Sequence, residues 1–177
     1  MDRDLEADIQ CDIMDWESKV FLPGAFDVIW ASPPCTEHSR AKTVGVRKIE
    51  ESNAVVQRTL DIIDYFQPRF FLVEHPQTGL LKDQSVMIGR IFKDIDYCKF
   101  GMPYRKRTRR WNNLTQWEPR ALCCKDCGSI VNNKHIETAQ RGPSKGDARG
   151  SRKHHSQAEL YRIPPPLLFE ILEAIGP

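Results

Sequence analysis

Two short apolar runs, Phe26-Asp27-Val28-Ile29-Trp30-Ala31 and Phe70-Phe71-Leu72-Val73, flank one amphipathic segment, and this triplet limits the possible folds most sharply. The first run is short, rich in β-formers and closed by Ser32-Pro33-Pro34, so it reads as a buried strand. Between the runs, Val55, Val56, Leu60, Ile62, Ile63 and Phe66 follow one helix face over residues 50–66, and Pro68 ends it. A strand, a crossover helix and a second strand make parallel neighbours. The pattern predicts an α/β fold on a parallel sheet, with further helices at about 83–92 and 166–175.

Chemistry sits where these strands end. Cys35 follows Pro33-Pro34, and proline fixes its own φ while pushing the preceding residue into extended geometry. The thiol is thereby held on a stiff loop at the carboxyl end of a strand, where open α/β sheets build their sites. A buried, inert cysteine is the alternative for any single Pro-Cys. The second strand runs into Glu74-His75-Pro76, which makes Glu74 either a candidate proton donor or a solvated strand-end carboxylate. Adjacent parallel strands would bring Cys35 and Glu74 to one crevice.

Downstream lies Gly101-Met102-Pro103-Tyr104-Arg105-Lys106-Arg107-Thr108-Arg109-Arg110-Trp111. Alternation of Arg105, Arg107 and Arg109 suggests a strand with three guanidiniums on one face, rather than only a solvated basic loop. The net charge of +2 hides a split. From Pro103 to His155 there are thirteen Lys/Arg against four Asp/Glu, a balance of +9, and the remainder carries −7. A basic block beside an acidic half is the footprint of a polyanion binder. Within it, Arg141, Lys145, Arg149, Arg152 and Lys153 lie among Gly and Ser, as a phosphate-contacting loop or an ordinary surface loop would.

Cys124 and Cys127 have the two-residue spacing of half a zinc site, but no pair among Cys123, His135, His154 and His155 completes a standard finger. No metal is expected on spacing alone; a zinc ion, if bound, would take Cys123, Cys124, Cys127 and His135. Six cysteines without a spaced framework point to a reducing, intracellular compartment. Met1-Asp2-Arg3-Asp4-Leu5-Glu6 has no targeting character, and no apolar run is long enough to span a bilayer, so no membrane partner is expected.

Taken in order, these segments resemble the catalytic part of the DNA cytosine-5 methyltransferases. Ser32-Pro33-Pro34-Cys35 resembles the family's Pro-Cys motif, and Val73-Glu74-His75-Pro76 its Glu-Asn motif. Arg105-Lys106-Arg107-Thr108-Arg109 is similar to Gln-x-Arg-x-Arg, and Ile163-Pro164-Pro165-Pro166-Leu167-Leu168 to the last motif, usually Asn-x-Val-Pro-Pro. Ala7-Asp8-Ile9-Gln10-Cys11-Asp12-Ile13 resembles the third strand, whose acidic end meets the adenine of S-adenosylmethionine. The resemblance implies a Rossmann-like methyltransferase fold. It makes Cys35 the nucleophile, Glu74 the acid, and Arg107 and Arg109 the groups that hold the base and its phosphate. It assigns Asp12, Ile13 and Pro33 to the cofactor, and Arg105, Lys106 and the later cations to double-stranded DNA. It divides the chain into a catalytic core at 1–114, a target-recognition insert at 115–157 and a returning motif and helix at 158–177.

The departures are as informative. His75 replaces Asn, Arg105 replaces Gln, and Thr36-Glu37-His38-Ser39 follows the cysteine in place of Gln-x-Phe-Ser. The family's opening strand and Gly-rich turn have no counterpart before Asp8, and none of the ten glycines forms such a loop elsewhere. An incomplete cofactor pocket is therefore expected, in a fragment or in one half of a split enzyme whose partner chain brings those strands. The alternative is a catalytically silent DNA-binding or scaffolding protein.

Overall fold

A computed structural model describes residues 6–141 and 153–176. They form two compact units, one running to Phe92 and including Arg110–Leu114, the other made of Lys93–Arg109 and the chain from Thr115 onward.

In the first unit, β1 (Val28–Ala31) pairs in parallel with β2 (Phe70–Pro76), in the register Val28 with Phe70 through Ala31 with Val73. Helix α1 (Ile49–Phe66) makes the crossover, as its apolar spacing predicts. It ends through Gln67, which adopts a left-handed conformation at φ 48° and donates its N–H to the Ile63 carbonyl. Strand β4 (Arg107–Asn112) follows β2 in the strand order, and its residues from Arg110 onward belong to this unit. Val56, Leu60 and Ile63 of α1 pack with Val73, Leu81, Met87 and Trp111 in the core. A second apolar layer joins Trp16, Phe21 and Phe26 to Phe66, with ring centroids 4.9–6.4 Å apart.

Two expectations change here. The strand predicted as buried is an edge strand among the described residues, with Val28 37% exposed, because only β2 pairs with it. The helix expected at 83–92 is a short 3-10 turn, Leu81–Asp83, followed by turns and the start of β3 (Phe92–Asp96). Gly89 at φ +81° interrupts any helix, and Ile88 and Ile91 stay exposed, so no apolar face forms.

The second unit places β3 beside the first half of β4. It adds a small antiparallel hairpin, β5 (Ile130–Val131) and β6 (Lys134–His135), turned by Asn132 and Asn133, both at positive φ. Strands β7 (Glu137–Arg141) and β8 (Lys153–His155) pair in parallel, and α2 (Gln157–Tyr161) opens on a Ser156–Glu159 capping box. The last helix, α3 (Pro165–Ile175), buries Leu167 and Ile171, and its Glu170 accepts from Trp117 Nε1 and Arg120 Nε. The sheets and helices together are compatible with the expected α/β class. No helix among the described residues is long and apolar enough to cross a membrane.

Candidate active site

Cys35 lies four residues beyond Ala31, and Glu74 one residue beyond Val73, its partner in the parallel register. Cys35 thus lies past the end of β1, while Glu74 lies within the neighbouring β2 of the same unit, two residues before Pro76. Pro33 is buried, Pro34 exposed and Cys35 half-buried, so the prolines anchor a thiol that solvent still reaches.

The segment after the cysteine is tied down by its own side chains. Glu37 accepts from Lys42 Nζ at 2.6 and 2.7 Å and from the Lys48 N–H at 2.8 Å, and these bonds hold its carboxyl below the ordinary range. Arg47 donates to the carbonyls of Glu37, Ser39 and Lys42. His38 is wholly buried between Ser52 and Asn53 of α1, with Asn53 Oδ1 at 2.9 Å from Nε2. Asn53 in turn donates to Gln84, and Leu80 N–H donates to the His38 carbonyl. These bonds fix the loop to the helix and to the turn beyond β2. Asn53 and Gln84 carry no motif, and His38 stands out in the sequence only as part of the segment that replaces Gln-x-Phe-Ser.

Glu74 is 8% exposed, and Arg110 of β4 donates through Nη2 to its Oε2 at 3.0 Å. The Arg110 guanidinium lies 4.3 Å from the Trp30 ring centroid, stacked on the face of β1's largest side chain. It is completely buried, and its Nε and Nη1 have no acceptor among the described residues. A carboxylate buried within a strand needs a counter-charge, and Arg110 supplies it.

Arg107 and Arg109 share the other face of β4, where they make bidentate pairs with Asp96 and Asp94 at 2.6–3.0 Å within the second unit. Arg105 precedes the strand and is exposed, while Lys106 donates to the Leu160 carbonyl at 2.7 Å. Lys145, Arg149 and Arg152 lie outside the described residues; the backbones of Arg141 and Lys153 sit in β7 and β8. The segment expected as a cofactor-binding strand forms only a single bridge at Gln10. Its Asp12 Oδ1 accepts the Met14 N–H, making a turn, and Arg58 of α1 donates to the carbonyls of Ile13 and Trp16.

His75 shows what the departure from Asn costs. Burial lowers its pKa to about 4, and the nearby His38 ring adds to the effect. Its Nδ1 donates to the Pro76 carbonyl, and a Cβ on Gly79 would stand 2.9 Å from the ring, so glycine is needed there. A His with a folded pKa below its unfolded 6.5 takes up protons more readily when unfolded. Stability should therefore be full above pH 6.5 and fall by up to about 3 kcal/mol as pH drops toward 4. Urea midpoints at pH 7.5 and 5 check this: His75→Asn should remove most of the difference, and an unchanged difference would assign it elsewhere.

No family model matches the chain. It is 30% identical to a frog virus 3 (isolate Goorha) protein described as "Probable DNA (cytosine-5)-methyltransferase". That alignment of 189 residues covers 95% of this chain and 85% of the viral protein.

Proposed function

This chain belongs to the DNA cytosine-5 methyltransferase family, and we propose from that premise that it methylates C5 of a cytosine flipped out of duplex DNA. The observation that carries the proposal is a rigidly presented thiol just past β1, together with a buried, arginine-bound carboxylate on the adjacent parallel strand β2, one residue beyond the partner of Ala31.

The Cys35 thiolate adds to C6 of the ring, which makes C5 nucleophilic. Glu74, held as a carboxylate by Arg110 in the free chain, takes up a proton on binding the base, gives it to N3 as charge develops there and recovers it when the Cys35 sulfur leaves. Arg110, buried against Trp30, holds Glu74 in place. Arg107 and Arg109, oriented by Asp96 and Asp94 within the second unit, bind DNA phosphate. S-adenosylmethionine supplies the methyl group. Loss of the C5 proton and elimination of the Cys35 sulfur then release 5-methylcytosine.

The family resemblance gives Asp12, Ile13 and Pro33 to the adenine end of the methyl donor, although Asp12 Oδ1 here accepts the Met14 N–H and the Ile13 carbonyl accepts from Arg58. No described glycine stands in a strand-to-helix turn with several others, so the ribose and methionine contacts come from a further segment or a partner chain. The test is transfer of labelled methyl to duplex DNA, read as 5-methylcytosine, by the chain alone and co-expressed with a chain bringing a Phe-x-Gly-x-Gly strand. Label on an exocyclic amine would overturn the proposal. DNA binding without transfer in either case would favour a silent scaffold.

DNA binding itself should be salt-steep, through residues 103–155. Neutralising Arg149, Arg152 and Lys153 should weaken binding equally on all sequences and flatten the salt slope by up to about 0.9 for each phosphate no longer neutralised. A triple variant with the wild-type slope would make that tract a solvated loop.

A further inference from the structure

Four metal-ligating side chains converge in the second unit: Cys98, Cys123, Cys127 and His135, with their ligand atoms all within 4.8 Å of one another. His135 Nε2 stands 3.7 Å from Cys123 Sγ and 3.4 Å from Cys127 Sγ. Zinc bonds of about 2.3 Å to sulfur and about 2.0 Å to nitrogen put the ligand atoms of a tetrahedral site roughly 3.5–3.8 Å apart. We propose that these four residues bind one zinc ion in a closed, structural Cys3His site.

The local folding favours it. The ligands come from separate short pieces of chain: the 3-10 turn Tyr97–Phe100, the two ends of the 123–127 turn, and the β5–β6 hairpin. These pieces have little regular structure, with two-residue strands in the hairpin, so a shared ion would staple them where an apolar core is thin. The backbone of the turn suits a metal. Lys125 and Gly128 take φ of +72° and +76°, and the Lys125 N–H donates to Cys123 Sγ at 3.3 Å. An N–H directed at sulfur favours the thiolate that a metal requires. With four protein ligands no position remains for substrate or water, which makes the role structural.

The ligand set departs from the one the spacing suggests. Cys124 is exposed, and its sulfur lies against the Leu122 carbonyl outside the cluster, while Cys98 is buried within it. The ion would also steady an arginine pair, since Asp96 Oδ2 accepts from both the Cys123 N–H and Arg107 Nη2.

The test is metal content and cobalt spectroscopy on the intact chain. Protein purified without chelator should hold one zinc per chain; Cys98→Ser and His135→Ala should lose it, and Cys124→Ser should keep it. Cobalt substituted into the wild-type chain should give a tetrahedral visible spectrum, with charge-transfer intensity for three thiolates. Those two measurements on wild type and Cys124→Ser decide the matter even if the ligand variants fail to fold. A metal-free wild-type chain, loss of zinc in Cys124→Ser with retention in Cys98→Ser, or an octahedral cobalt spectrum would overturn the site.

Discussion

Serine in place of Cys35 should abolish covalent capture of DNA carrying 5-fluorocytosine and lower methyl transfer by at least about three orders of magnitude. Addition of the thiolate to C6 and transfer of the methyl group leave fluorine at C5, which cannot depart as a proton does, so the enzyme–DNA adduct persists. A hydroxyl is far less nucleophilic than a thiolate at neutral pH, so serine cannot take over the addition at a comparable rate. Exposure alone would name a different residue, because Cys124 is the most exposed of the six thiols. What distinguishes Cys35 is its place just past β1, behind a buried Pro33, in a loop that Glu37, Arg47 and His38 hold in shape. Cys124→Ser should therefore leave capture intact. Mass spectrometry that finds the adduct on Cys11 or Cys124, or its survival in Cys35→Ser, would reject the assignment.

The strand–helix–strand unit was legible because its information is local: two apolar runs, one helical period and a closing proline decide it without knowledge of distant partners. The last helix was legible for the same reason, its start marked by Pro164, Pro165 and Pro166. The arginines were not. Alternation shows that Arg107 and Arg109 share a face, but it cannot say which face meets a carboxylate from another strand. Arg110 has the parity of Thr108 and Asn112, all buried, and the signal available was the acid itself, since a Glu closing an apolar strand calls for a buried cation. Cys98 was hidden by distance. Motif spacing identifies ligands on one turn, and Cys98 is brought to Cys123 only by folding of the second unit. The helix expected at 83–92 failed because Gln84 is already extended, Gly89 takes a positive φ, and Ile88 and Ile91 find nothing to pack against.

Removing Arg110 while Glu74 remains should destabilise the first unit by about 3–5 kcal/mol, because it strands a buried carboxylate. Arg110→Met is the informative change: a flexible apolar side chain can still pack against Trp30, so the loss reports charge rather than a hole. Glu74→Gln keeps an acceptor for Arg110 Nη2 but leaves the buried guanidinium without a counter-charge, so it should also cost about 3–5 kcal/mol. In the double variant the stranded charge is gone, and the combined loss should fall well short of the sum of the single losses. Activity should separate the roles. Glu74→Gln cannot give up a proton in the same way and should lose about 10²–10⁴-fold in methyl transfer even where it is folded. Arg109→Gln acts through phosphate contacts and should weaken DNA affinity and transfer with less stability loss than Arg110→Met, whereas Arg107→Gln also strips the buried Asp96 of its counter-charge and should destabilise the second unit. Urea denaturation of the four-membered cycle, followed by transfer assays on the folded members, tests both parts. Additive losses at Glu74 and Arg110 would show that the 3.0 Å bond is not the interaction that stabilises this end of the sheet.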